Sequence, residues 1–274
     1  MILAQLTDLH IRPPGRLAYR KVDTAAALVR AVAAINALDP LPEWLVLTGD
    51  LVDFGTPGEY EHLKSLLAPL RMPYLLMPGN HDERAAMRAV FPEHDYLPGG
   101  EFLNYALECG PLRLVALDTV IPMQSGGALG EARLAWLDRT LAAAPARPTV
   151  IAMHHPPFAT GIGHMDRIGL GPEDRKAFAG VLARHPQVER VICGHLHRTI
   201  YRRIAHTVAS TCPAPCHLVA LDIREDAPSA FVMEPPGYHL HAWLPGEGLV
   251  THAGTIGDFE GPYPFHGPDG KLID

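Results

Sequence analysis

Five short apolar runs in this chain each stop abruptly at a loop whose polar residues are Asp, Asn and His. Residues 2–7 run into Asp8-Leu9-His10, and residues 44–48 into Gly49-Asp50. Residues 74–77 are followed, after Pro78, by Gly79-Asn80-His81-Asp82. Residues 149–153 run into His154-His155-Pro156-Pro157, and residues 188–193 into Gly194-His195-Leu196-His197. A run of this length, bounded by turn residues and largely apolar, reads as a strand buried in a helix-covered sheet. In open α/β sheets the ligand crevice lies beyond the carboxyl ends of the strands, so the five loops are expected to converge on one site.

Helix signals fill the spaces between the runs. Asp23 and Thr24 are placed to cap a helix reaching about residue 38. Thr56-Pro57-Gly58-Glu59 has the capping-box spacing with proline at the first helical position, and opens a helix toward residue 70. Asp82 reads as the cap of a helix beginning near Glu83. Helices are also predicted over 131–143 and 172–184, and a hairpin joins 104–108 to 112–118 across Cys109-Gly110-Pro111. The alternation predicts an α/β fold of one domain, since 274 residues suffice for a sizeable core and no linker interrupts them. The catalytic core is expected over residues 1–200. Residues 201–274, rich in Gly, Pro and strand signals, read as a smaller elaboration of the same domain that supplies substrate choice and oligomer contacts.

The remaining composition narrows the function classes. A net charge of −7 offers no basic stripe for counterion release, so an extended nucleic acid is not expected as a partner. Apolar stretches all fall short of the ~18 residues that a membrane span requires, Arg30 breaking the alanine-rich segment 25–38. The start of the chain, MILAQLT, carries neither a basic region nor a small-residue cleavage site. The four cysteines, Cys109, Cys193, Cys212 and Cys216, do not form a disulfide framework, and the cytoplasm is the expected compartment. Cys212-Pro-Ala-Pro-Cys216 matches neither the common zinc nor the thioredoxin spacing and reads as two free thiols. Sixteen histidines, scattered along the chain, point instead to metal or proton chemistry.

The ordered set Asp8-x-His10, Gly49-Asp50, Gly79-Asn80-His81, His154 in MHHPP and Gly194-His195-x-His197 resembles the calcineurin-like metallophosphoesterase superfamily over roughly residues 1–200. Within it, the chain is most similar to bacterial glycerophosphodiesterases and class III cyclic-nucleotide phosphodiesterases. The resemblance implies a two-sheet sandwich flanked by helices, a dinuclear metal centre at the loop ends, and a homodimer or larger assembly. It implies that Asp8, His10, Asp50 and His197 hold one ion while Asp50, Asn80, His154 and His195 hold the other, with Leu196 where many relatives carry a polar residue.

The residue types suit that chemistry. Two divalent ions ~3.5–4 Å apart need a bridging carboxylate, for which Asp50 is the natural choice, and imidazole, carboxylate and amide donors without thiolate favour Mn, Fe, Zn or Co. In a strand, the alternation His195-Leu196-His197 would send both imidazoles to one side. Such a centre generates hydroxide near neutral pH for in-line attack on phosphorus, and a diester's alkoxide leaving group calls for a proton donor. His81, beside Asn80, is the candidate for phosphate contact and leaving-group protonation, with orientation of Asn80 as its alternative role. His217 and Tyr19 are candidate substrate residues. His155 and Asp82 read as structural, and Arg198, Arg202 and Arg203 as a solvated basic cluster. The expected function is hydrolysis of small phosphodiesters such as glycerophosphodiesters. The alternatives are a 3′,5′-cyclic nucleotide phosphodiesterase and a non-catalytic scaffold of the same fold.

Overall fold

The computed structural model describes residues 1–273. The amino-terminal half is a run of crossovers: β1 (Ile2–Leu6), α1 (Thr24–Asn36), β2 (Trp44–Thr48), α2 (Pro57–Leu67), β3 (Tyr74–Met77) and α3 (Arg84–Val90). β1, β2 and β3 pair in parallel. The hairpin of β4 (Tyr105–Cys109) and β5 (Leu112–Leu117) then opens a second sheet. It continues through α4 (Gly130–Ala142), β6 (Thr149–Met153), α5 (Gly163–Asp166), α6 (Pro172–Leu182) and β7 (Val188–Cys193). The rest of the chain is β8 (Ile200–Ile204), β9 (Thr207–Thr211), β10 (Leu218–Val219), β11 (Phe231–Val232), β12 (Gly237–Leu244) and β13 (Gly248–Thr255).

These strands form a five-stranded sheet, β13-β12-β1-β2-β3, and a six-stranded sheet, β4-β5-β6-β7-β9-β8, with β10-β11 a separate ribbon. The segment after residue 200 therefore serves both sheets, β9 lying parallel to β7 and β12 antiparallel to β1. Both large sheets contribute to one buried apolar cluster, including Leu45, Val46 and Leu47 from β2 and Val150, Ile151 and Ala152 from β6. A buried polar stitch crosses between the sheets near the strand ends. Gln5 donates to Thr48 Oγ1 at 2.9 Å and to the Cys193 carbonyl at 3.0 Å.

Local sequence chemistry sets the element ends. Asp23 caps α1 through a bond from the Ala26 amide, and Glu59 reaches back to the Thr56 amide at 3.2 Å as a capping box requires. The cap of α3 differs from expectation. Glu83, not Asp82, accepts from the Ala85 and Ala86 amides. Asp82 is drawn instead into the interior, where it accepts from the Leu51 amide at 3.0 Å, the Gly79 amide at 2.8 Å and the Tyr60 hydroxyl at 2.8 Å. It ties the loop after β2 to the loop after β3.

Candidate metal centre and cleft

All five polar loops lie at one end of the sandwich, zipped to one another by their backbones. The Asp8 amide donates to the Gly49 carbonyl, His10 to Asp50 and Gly194 to His154, each at 3.0 Å. Asp8, His10, Asp50, His195 and His197 all hold positive φ, between 46° and 70°. Left-handed backbone at a non-glycine residue costs on the order of 1–2 kcal/mol, and Asp and His are among the types that enter it most readily. Strain of this kind concentrates at functional sites, where surrounding contacts over-determine it. It also corrects the expectation for His195-Leu196-His197. These residues lie beyond β7 in a tight turn, and its two rings go to different groups of donors.

One group gathers around His10 and His197. His10 directs Nδ1 at Asp53 Oδ1, 3.2 Å away, and His197 Nδ1 donates to the His217 carbonyl at 3.0 Å. The two Nε2 atoms face each other at 3.2 Å. Burial works to lower His10, but Asp53 and Asp50 outweigh it and hold the ring above its usual range, while burial and His10 hold His197 well below its own. Asp8 Oδ1 stands 3.4 Å from His197 Nε2, and Asp50 Oδ2 stands 3.7 Å from His10 Nε2. The second group surrounds Asn80 Oδ1, which lies 3.1 Å from both His154 Nε2 and His195 Nδ1. His154 donates from Nδ1 to the Thr48 carbonyl at 2.9 Å and faces Asp50 Oδ2 with Nε2 at 3.4 Å. Burial works to lower this ring too, but Asp50 and Asp8 outweigh it and raise it to about 9. Asp50 Oδ2 thus faces both groups. Its other oxygen accepts from the His81 amide at 2.9 Å.

The residues fit a pair of cations on direct observation. Ring nitrogens and carboxylate oxygens crowd together, with His10 Nε2 3.2 Å from His197 Nε2 and His154 Nε2 3.4 Å from Asp50 Oδ2, and the buried Nε2 of His195 finds no protein partner. Burial pushes Asp50 up, but His154 and His81 outweigh it and hold the carboxyl well below its usual range. Burial pushes Asp8 up to about 6, with Asp50 adding to the rise. Two buried carboxylates facing a cluster of imidazoles, with no thiolate, make a donor set for divalent metal, whose binding would displace the ring protons. The backbone leaves no slack around it: a Cβ at Gly194 would stand 2.1 Å from Thr7 Oγ1.

Beside the donors lies a cleft of about 380 Å³, walled by Tyr19, His217, Phe231, His164, Met165 and Ile168. His81 sits at its edge, its side chain one-third exposed, and directs Nδ1 to the Asp53 carbonyl at 2.8 Å. That bond, rather than one to Asn80, orients the ring. His217 Nδ1 lies 3.1 Å from Cys216 Sγ, and burial lowers the ring to about 3, so it stays neutral. The Tyr19 ring lies 5.2 Å from that of His217. Burial pushes the Tyr19 phenol up to about 12. His155 is held neutral, lowered to about 3 by burial and by His154, between the Thr119 hydroxyl at 2.7 Å and the Ser125 carbonyl at 3.1 Å. Leu196 is buried against Ile162, Met165 and Val219, joining the turn that carries the histidines to the cleft wall. All four cysteines are free and buried. Arg198 pairs with Glu234, while Arg202 and Arg203 are exposed on β8.

Sequence reasoning passed over Asp53, Ser125, His164 and Phe231. The Asp50-x-x-Asp53 spacing was a signal for the first; the others arrive by packing of distant segments, with no local mark.

The calcineurin-like phosphoesterase family model matches residues 1–199. The chain belongs to the calcineurin-like phosphoesterase family. A relative from Arcobacter nitrofigilis, named a probable glycerophosphodiester phosphodiesterase, is 41% identical over 279 aligned residues covering 100% of both chains. A protein of Rhodopseudomonas palustris, named a probable cyclic nucleotide phosphodiesterase, is 38% identical over 90% of this chain and 89% of its own. Among solved structures, a dimetal phosphatase from Danio rerio superposes with a TM-score of 0.61 at 15% identity, covering 94% of this chain and 99% of that one. At that identity the likeness is one of fold: two mixed sheets with flanking helices. The family uses a dinuclear metal centre, and clusters of His and Asp donors that could hold metal lie here at the loop ends.

Proposed function

We propose that this family member is a dinuclear-metal-dependent phosphodiesterase acting on small diesters such as glycerophosphodiesters. The observation that carries the reading is Asp50, whose Oδ2 faces two separate groups of donor atoms at the edge of a substrate-sized cleft. Asp8, His10, Asp50 and His197 would hold one ion; Asp50, Asn80, His154 and His195 would hold the other. When bound, two ions of the Mn, Fe, Zn or Co type supply positive charge for the phosphate oxygens and acidify water near neutral pH. Asp53 and the His217 and Thr48 carbonyls engage Nδ1 of His10, His197 and His154, so each ring turns Nε2 inward, where a bound ion would take the place of its proton. His81, its Nδ1 engaged by the Asp53 carbonyl, presents Nε2 to the cleft edge. In the protonated ring this nitrogen hands a proton to the departing ester oxygen as the bond from phosphorus to that oxygen breaks. His217 and Tyr19, both neutral, line the wall that receives an ester arm.

The name and full-length identity of the Arcobacter relative support the glycerophosphodiester reading. The Rhodopseudomonas relative, with the apolar wall of Phe231 and Ile168, favours a 3′,5′-cyclic nucleotide as the second reading. Turnover of glycerophosphoethanolamine and of cAMP at equal concentration decides between them, and near two ions per purified chain is expected. A protein that stays metal-free and inactive under every ion supplement is a scaffold, and the proposal fails.

The domain organisation and setting follow the same reading. Residues 1–200 form the catalytic core and residues 201–274 complete the same domain. Phe259, Tyr263 and Phe265 are 69%, 69% and 81% exposed near the carboxyl end, an apolar surface that supports contact with a second copy. Light scattering of a monomer would remove that assembly. No helix of the described residues is long and apolar enough to cross a membrane, and four free thiols suit a reducing cytoplasm.

A further inference from the structure

The cleft walled by His217 and Phe231 is one of two that open at His81. A second groove, of about 510 Å³, shares Asn80, His81 and Ser125 with the first and is otherwise lined by different residues. Its own walls are Phe54, from the loop after β2, and Met123, from the loop after β5. Both side chains are apolar and open to water: Phe54 is 67% exposed and Met123 fully so.

The backbone of each is held in place. The Phe54 amide donates to Glu59 Oε2 at 3.0 Å, and the Arg12 guanidinium lies 4.2 Å from the centre of its ring. Met123 holds a positive φ of 64°, a strained backbone for this residue type. Its loop is fixed on both sides. Arg84 forks onto Asp118 at 2.6 and 2.9 Å, Asp118 accepts from the Val120 amide, and His155 donates to the Ser125 carbonyl. At Gly127 an added Cβ would meet the His155 ring at 2.5 Å, so the loop is pressed against the histidine beside His154. Two apolar side chains, open to solvent on backbones that are held in place, flank the residue assigned to the leaving group.

A phosphodiester carries two arms that diverge from phosphorus, whereas a monoester carries one. We propose that the second groove holds the other ester arm, and that Phe54 and Met123 select for its size and apolar surface. The inference rests on the phosphodiesterase reading and extends it: the substrate class is a diester with two extended arms, one on each side of His81.

The test is the double variant Phe54→Ala/Met123→Ala, whose exposed positions leave the core untouched. Wild type and variant, loaded with the same divalent ion, are assayed on methyl 4-nitrophenyl phosphate and phenyl 4-nitrophenyl phosphate. The phenyl-over-methyl ratio of kcat/KM should fall roughly tenfold in the variant, the scale expected for uncovering part of two apolar side chains. An unchanged ratio overturns the proposal. Calorimetry with diphenylphosphinate and methylphenylphosphinate, whose P–C bonds resist hydrolysis, reads the same selectivity without turnover. If wild type cleaves no diester, the phosphodiesterase reading falls. The phosphinate preference, lost or kept in the variant, still decides what the groove holds.

Discussion

Gly79 lies against Asp50 so closely that a Cβ added to it would stand 2.3 Å from both the Asp50 amide nitrogen and Oδ1. The same Cβ would meet His154 Cε1 at 2.8 Å. The residue before Asn80 therefore has no room for a side chain, because two strand-end loops meet there backbone to backbone.

Gly79→Ala should accordingly cost metal binding more than folding. The methyl group displaces Asp50, the carboxylate facing both donor groups, while the apolar core stays as it is. Metal content by mass spectrometry is expected to fall below one ion per chain with the melting transition lowered but cooperative. Retention of two ions would contradict the tight fit.

Asp50→Ala and His81→Ala should separate binding from catalysis. Asp50→Ala removes the shared carboxylate, and both activity and paired metal should disappear together. His81→Ala keeps every proposed donor side chain and should retain metal, with turnover slower by ~10²- to 10⁴-fold if the ring gives up a proton. Loss of metal from His81→Ala would show that its ring, bonded to the Asp53 carbonyl, works by holding the donors in place.

Asp82→Ala orphans the Leu51 and Gly79 amides in a buried setting and leaves the Tyr60 hydroxyl with only the Glu83 backbone. Each unpaired group costs roughly 1–3 kcal/mol, so a total loss of about 3–5 kcal/mol is expected in urea unfolding. Leu51 and Gly79 flank Asp50 and Asn80 in sequence, and metal affinity should weaken in parallel. A helix-capping role would predict a loss nearer 1 kcal/mol, roughly that of an exposed cap.

Acid should destabilise the metal-free protein through buried neutral histidines. Burial lowers His239 to about 4 from an unfolded value of 6.5, and holds His241 well below that value. Between these limits the unfolded chain binds protons that the folded chain refuses, so stability rises with pH. The contribution is complete above about 6.5 and is lost as pH falls toward about 4. Each such histidine gives a slope of up to about 1.4 kcal/mol per pH unit. Urea unfolding of chelator-treated protein at pH 7.5 and pH 5 should show this loss, and His239→Gln should reduce it. An identical slope in the variant would mean that His239 is not the group resisting protonation.

How much of this was written locally is clear from particular residues. The strands ending at Leu6, Thr48, Met77, Met153 and Cys193 were legible as apolar runs, and the caps at Asp23 and Thr56 as short-range chemistry. Asp82 misled because its spacing suits a cap, while its actual partners, Leu51 and Tyr60, lie more than twenty residues away. His239 and His241 carried no readable role. Their strand pairs with β1, and His241 Nε2 faces Gln5 Oε1 at 3.1 Å across a separation of 236 residues.

The sequence by itself determined the alternation of strands and helices and the kinds of donor atom at each strand end, since apolar period, turn residues and caps act within a few residues of one another. Only the tertiary structure decided which nitrogen of each histidine turns inward, that Asp50 faces both groups, and that Phe54 and Met123 flank His81. Those relations depend on left-handed turns and loop-to-loop hydrogen bonds between segments up to 187 residues apart. No local pattern of side chains encodes a distance of that kind; packing of the two sheets sets it.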